Sequence, residues 1–153
     1  MKQKQKQKWK TISLSVIGLL VAFQFYQPVR NISSRQVQAT DFRKVYNPPK
    51  AVSQILENSC YNCHSNNTKY EWFDYIQPGR MFIESHIAKG KQDLNFSAWG
   101  DYYSGKQERL LQSIVTQVEK NEMPLPSYLW LHPEAKLTNE EKQTLINWIK
   151  NKE

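Results

Sequence analysis

The chain opens on lysine alternating with glutamine, which gives way to an uncharged run from Ile12 to Tyr26. Only after a polar interval does a helical pattern of apolar positions set in. Ala51 to Ser59 carries Val52, Ile55 and Leu56 at helical spacing directly behind Pro48-Pro49, where a helix can start. Arg80 to Lys89 places Phe82, Ile83, His86 and Ile87 on one side, with Gly90 as the expected stop. Leu110, Leu111, Ile114, Val115 and Val118 form the strongest stripe. A Ser104-x-x-Gln107 capping box opens it, and it closes before Met123-Pro124, because the residue ahead of a proline avoids helical backbone. Leu145, Trp148 and Ile149 mark a last helix behind a Thr138-x-x-Glu141 box. Strand-like alternation is missing throughout. The predicted class is all-α with long irregular connections, preceded by one N-terminal transmembrane helix.

That N-terminal expectation rests on length and charge. Ile12 to Tyr26 would give about 22 Å of helix, short of the ~30 Å hydrocarbon core. Extension to Trp9 and Val29 reaches that thickness and puts Trp9 and Tyr26 near the two interfaces, where amphipathic rings partition. The lysines from Lys2 to Lys10 favour a cytoplasmic start, which sends the remainder to the outer, periplasmic side of the cytoplasmic membrane. The expected organisation is a basic tail over 1–10, a transmembrane signal anchor over 11–29, a linker over 30–49 and a folded domain over 50–153. Cleavage after Val37-Gln38-Ala39 is the competing reading, but that site lies far beyond the apolar run. No cysteine follows the run closely, so lipid attachment is not expected.

At 153 residues, 39% hydrophobic and 23% charged, the chain has the size and composition of one globular domain. Its net charge of +7 is mostly a property of the tail, since five of the 21 basic residues fall in the first ten positions. No nucleic-acid partner is expected from such a distribution.

The two cysteines stand three apart and are followed by a histidine: Cys60-Tyr61-Asn62-Cys63-His64. Cys-x-x-Cys-His is the attachment sequence of c-type haem. Two thiols on one helical turn can each bond a vinyl group of the same porphyrin edge, and the next residue can bring its imidazole to the iron. His64 is then the proximal ligand. A thioredoxin-like pair would want strands around it and a zinc site would need more ligands than His86 and His132 supply, while a plain disulfide between Cys60 and Cys63 stays open as an alternative in an exported chain.

The chain resembles the small cytochrome c-like haem-binding domains of membrane-anchored bacterial proteins. The resemblance runs from about Gln24 to Trp148. It is carried by Cys60 to Asn66, Thr68-x-Tyr70-x-Trp72, Pro78, His86-Ile87-x-x-Gly90, Leu94-Asn95-Phe96-Ser97-x-Trp99, and Met123-Pro124 with Tyr128 behind. It implies one covalent haem c, an all-α cytochrome c-like fold and exposure outside the cytoplasmic membrane. Glu71 stands where proline is expected before the tryptophan, and Gly79-Arg80 replaces a more apolar pair.

A low-spin electron-transfer haem needs a second axial ligand, and a methionine thioether there raises the potential. Met123 is the best placed of the three methionines, in a proline-bounded loop ahead of the last helix; Met1 is the initiator and Met81 lies on a predicted helix close to His64 in sequence. Core filling by Met123, or its displacement by His86, are the alternatives. His132 is expected in a surface loop, and Arg80, Lys89 and Lys91 on a solvated face or against haem propionates. Trp72, Phe73, Tyr75, Phe96, Trp99, Tyr102 and Tyr103 are expected to wall the pocket and fill the core.

The function these residues predict is a non-enzymatic electron carrier with a redox partner protein. Iron, as haem, is coordinated by His64 and Met123 and tethered through Cys60 and Cys63. The alternatives are a peroxide- or gas-binding haem enzyme or sensor with an open sixth position, and a haem-bearing structural subunit of a membrane complex.

Overall fold

The computed structural model describes residues 2–33 and 37–152. Met1, and Ser34 and Gln36 of the expected linker, lie outside them. Among the described residues all regular structure is helical apart from one isolated antiparallel bridge, Ile32 to Asn67. The helices are α1 (Lys2–Gln24), α2 (Phe42–Tyr46), α3 (Lys50–Ser59), α4 (Tyr61–His64), α5 (Gly79–Asp93), α6 (Ser104–Glu119), α7 (Pro126–Leu129) and α8 (Asn139–Lys150), with 3-10 turns at Trp72–Tyr75, Phe96–Asp101 and Pro133–Ala135. The chain divides into two compact units. One comprises Met1–Arg30 with Lys69–His86, the other Asn31–Thr68 with Ile87–Glu153.

In the first unit, α1 is continuous from the lysine tail through the apolar run and ends at Gln24. The expected span from Trp9 to Val29 is therefore not one helix. Phe25 and Tyr26 close a turn onto Ala22 and Phe23, and the backbone beyond is irregular. No helix among the described residues is long and apolar enough to cross a membrane. Side chains on every side of α1 are exposed, including Leu14, Val16, Ile17 and Leu19. Its C-terminal end is clamped to the Trp72–His86 segment. Gln77 N–H donates to Gln24 Oε1 (2.9 Å), and Gln24 Nε2 donates back to Gln77 O (3.3 Å). The Gln77 amide also reaches Tyr26 O, Gln27 Nε2 reaches Tyr75 O (3.1 Å), and Arg80 Nη2 reaches Pro28 O (3.2 Å). Two of these bonds, to Tyr26 O and Pro28 O, satisfy carbonyls that lack helical donors beyond the end of α1.

The second unit is organised by α8, against which both α3 and α6 pack. The apolar stripes named from the sequence face inward: Val52, Ile55 and Leu56 from α3, Leu111, Ile114, Val115 and Val118 from α6, Leu145 and Ile149 from α8. The Thr138–Glu141 box forms in both directions, so α8 starts where its sequence says it should. The Ser104–Gln107 box does not form. Gln107 Nε2 instead donates to Trp99 O (3.0 Å) and Tyr102 O (3.1 Å), fastening α6 to the preceding 3-10 turn.

Part of the stretch expected as linker is folded. Asp41 caps α2 by accepting from Arg43 N–H (2.9 Å), and α2 delivers Phe42 into the centre of the aromatic core. The Phe42 ring lies 4.7 Å from Trp99 and 5.2 Å from Phe96, in both cases edge to face, the geometry that aromatic quadrupoles favour. Of the aromatics expected to be buried, Phe96 and Trp99 are; Trp72 and Tyr103 are exposed, and Tyr75 is largely so.

Candidate haem site

α3 ends at Ser59 and the chain turns at Cys60 into the single helical turn α4, which carries Cys63 and His64. The turn holds because Cys63 N–H and His64 N–H both reach the Cys60 carbonyl, at 3.2 and 3.0 Å. Both cysteines are half-buried thiols, and they are not joined in a disulfide. Burial, with a smaller contribution from Cys63, pushes the Cys60 thiol up to about 12, so before any attachment it is neutral.

His64 Nδ1 lies 3.0 Å from the carbonyl oxygen of Leu94. With Nδ1 as the donor, the lone pair sits on Nε2, the tautomer a histidine needs to ligate a metal. The Leu94 carbonyl is available because α5 ends at Asp93. Gly90, on the last turn of α5, packs against the same motif: a Cβ there would come within 3.0 Å of Cys63 O and 3.4 Å of His64 Cε1. The expected helix stop at Gly90 is therefore not one, since α5 runs on to Asp93. The glycine is needed for a close approach of helix to motif.

The two residues between the cysteines are anchors. Tyr61 is buried, stacks on Phe96 at 5.0 Å and 3°, and donates its hydroxyl to Asp41 Oδ1 (2.9 Å). Arg43 completes the cluster, with Nε 3.2 Å from Asp41 and its guanidinium carbon 4.3 Å above the Tyr61 ring. Burial pushes the Tyr61 phenol up, Asp41 adds to this, and Arg43 opposes it. Burial by itself would lower Arg43, but Tyr61 and Asp41 outweigh it and raise it. Asn62 Nδ2 lies 2.8 Å from the Tyr128 hydroxyl on α7, joining the motif to the segment that follows Met123. Tyr128 in turn stacks on His132, 4.1 Å away and nearly parallel; His132 lies in a loop as expected, but it is buried and not at the surface.

The loop after the motif is held by residues whose roles the sequence left open. Thr68 Oγ1 donates to Asn62 O (2.6 Å) and accepts from Asn31 Nδ2 (2.9 Å), and the Asn31 amide also reaches Ser65 O (2.8 Å). Asn95 Nδ2 donates to Asn66 Oδ1 (2.9 Å), while Asn66 N–H donates to Ser97 Oγ (3.1 Å).

Cys60, Cys63 and His64 thus converge on one turn. Met123 is half-buried in the loop between α6 and α7, and its backbone N–H reaches Gln117 O (3.3 Å). His86 turns Nδ1 to its own helix at Phe82 O (2.9 Å) and packs on the Phe82 ring. Of the cations expected on a solvated face or against propionates, Lys89 is exposed, while Arg80 and Lys91 are engaged inside the protein. Arg80 is 1% exposed and pairs with Glu84 (2.9 Å), and Lys91 Nζ reaches Asn31 Oδ1 (2.6 Å).

A haem-binding domain family model matches residues 18–151. The chain belongs to the haem-binding domain family. No curated protein and no solved structure matches it. The residues of this haem-binding protein fit the group. They offer two thiols that are not joined in a disulfide, an imidazole whose Nε2 is left as the acceptor, and a glycine that keeps the neighbouring helix from crowding the motif.

Proposed function

We propose that this haem-binding protein carries one covalent haem c and passes single electrons between partners outside the cytoplasmic membrane, to which α1 attaches it. The observation that carries the reading is the His64–Leu94 hydrogen bond beside two thiols in Cys-x-x-Cys-His order that are not joined in a disulfide. Cys60 and Cys63 would each add across a vinyl group of the porphyrin, giving two thioethers. His64 would hold the iron through Nε2. Met123 would supply the second protein ligand, a thioether, and an iron held by two protein ligands would favour a carrier over an enzyme. The haem, when bound, supplies the one-electron chemistry; the chain supplies ligation, orientation and burial.

Within that reading the polypeptide has three tasks. The Leu94 carbonyl fixes the ring plane of His64 and, by accepting from Nδ1–H, makes Nε2 a better donor to iron. Tyr61 and Phe96 keep water from the core side of the motif. The Asn62–Tyr128 bond ties the Met123 segment to the attachment turn, so that both ligand-bearing segments move together. Membrane attachment is supported by apolar side chains exposed all round α1 behind a lysine-rich start.

A reduced-minus-oxidised visible spectrum of the membrane fraction, with a denaturing gel stained for haem, tests the reading. A c-type spectrum and a stained band at the mass of the chain are expected. A stain-free band with haem lost on denaturation contradicts covalent attachment.

A further inference from the structure

We infer that the first unit is a lipid-contacting surface, in which the Trp72–Phe82 segment lies in the bilayer interface around the exit of α1. This rests on the reading that α1 attaches the protein to a membrane, and it answers a difficulty within that reading. The helical part of the apolar run, Ile12 to Phe23, covers only about 18 Å against a hydrocarbon core of ~30 Å. Apolar contact must come from elsewhere if the attachment is to be firm.

The missing surface lies at the end of α1. Tyr75 and Gln77 are bonded to Gln27, Gln24 and Tyr26, so the backbone of 75–77 runs directly alongside the residues that follow the helix. The side chains carried there are large, apolar or aromatic, and exposed. Phe25 is 85% exposed and Trp72 74%, and Tyr26, Ile76 and Phe82 are also open. Tryptophan and tyrosine partition to the water–bilayer boundary because one end of the ring is apolar and the other can meet water. The polar side chains of the segment, Asp74, Gln77 and Arg80, are meanwhile turned inward, even though Asp74 Oδ1 and Arg80 Nε and Nη1 find no hydrogen-bond partner there among the described residues. Gln77 and Arg80 are buried in the clamp, and Asp74, three residues into its own 3-10 turn, accepts from the N–H of the capping residue Glu71 (2.7 Å). A segment that buries its polar side chains and exposes its aromatic ones is built to face something apolar. Continuity with the exposed apolar run of α1 identifies that partner as lipid.

The test uses the full-length haem-loaded chain in phosphatidylethanolamine–phosphatidylglycerol vesicles, with both native cysteines consumed by the haem. Nitroxide labels are placed at Trp72→Cys, Phe82→Cys and, as a reference on the second unit, Lys120→Cys. Power-saturation measurements compare accessibility to oxygen, which concentrates in lipid, with accessibility to a nickel chelate, which stays in water. The labels at 72 and 82 should show an oxygen-to-nickel ratio several-fold above that at 120, falling to the reference value in detergent-free solution. Flotation of the protein with vesicles while 72 and 82 match 120 would overturn the inference and leave membrane attachment standing. Labels immobilised equally with and without vesicles would mean that protein covers the patch, and would overturn it too. Failure of the wild type to float would overturn both readings together. An unchanged haem spectrum in each variant verifies that it is folded.

Discussion

The backbone carbonyl of Leu94 sits 3.0 Å from His64 Nδ1, and it fixes which nitrogen of the histidine is available. A main-chain acceptor cannot be removed by changing a side chain, so the tautomer is set by where α5 ends. The approach that brings this carbonyl to the ring requires α5 to lie against the Cys60–His64 turn, so closely that a Cβ at position 90 would stand only 3.0 Å from Cys63 O.

Gly90→Ala is therefore expected to cost about 1–3 kcal/mol of overpacking, although alanine favours a helix interior. Its measurable sign is a lower melting temperature with a shifted haem absorption band. Gly79→Ala, where nothing lies within 4 Å of the added carbon, is the control and should leave both unchanged.

Met123→Ala should open the sixth position. The potential should fall, carbon monoxide should bind the reduced haem, and the weak near-infrared sulfur-to-iron band of the oxidised protein should vanish. Met81→Ala should do none of this. Rapid carbon monoxide binding by the wild type, with the spectrum changed by His86→Ala instead, would point to a different distal ligand.

Asp41 accepts from Tyr61, from Arg43 and from the start of α2 at once. Asp41→Ala should cost about 3 kcal/mol in denaturant unfolding, through the lost cap and the stranded Tyr61 hydroxyl. Tyr61→Phe removes the buried donor but leaves Asp41 its other partners, and should cost about 2 kcal/mol. In a double-mutant cycle the two effects should fall short of adding, because they share one hydrogen bond.

In the haem-free chain the Cys60 thiol holds its proton to about 12, above the ordinary thiol value. Between those two values the folded state binds more protons than the unfolded state. Stability should therefore be level at neutral pH and fall as pH rises from about 9 towards 12. Chemical denaturation at several pH values between 9 and 10, below the range in which the raised Tyr61 phenol adds a slope of its own, should show this slope in the haem-free wild type and lose it in Cys60→Ala. Thioether formation removes the titrating group, so the haem-loaded protein should lack the slope as well.

The attachment turn and the helices of the second unit were legible because each depends on side chains in a fixed local order. Cys60, Cys63 and His64 are consecutive in chemistry, and the stripes of α3, α6 and α8 follow one period. What the sequence hid depends on contacts between distant segments. Phe42 sits in a polar stretch with no periodic neighbours, so its place in the core becomes apparent only beside Trp99 and Phe96. Gly90 resembles a helix stop because glycine serves both ends and close approaches, and only the position of Cys63 distinguishes them. Ser104 and Gln107 have the spacing of a cap, but the Gln107 amide finds two carbonyls of the preceding turn instead. Arg80 suggests a surface cation, yet Glu84 and Pro28 O satisfy part of its guanidinium inside the first unit.

The most direct test of covalent haem attachment is the mass of the denatured chain after co-expression with a cytochrome c maturation system. The wild type should gain the mass of one haem and keep it through denaturation, while the double variant Cys60→Ala, Cys63→Ala should show only the polypeptide mass. A wild-type chain at its unmodified mass, in cells where a control cytochrome c is fully loaded, would contradict the account.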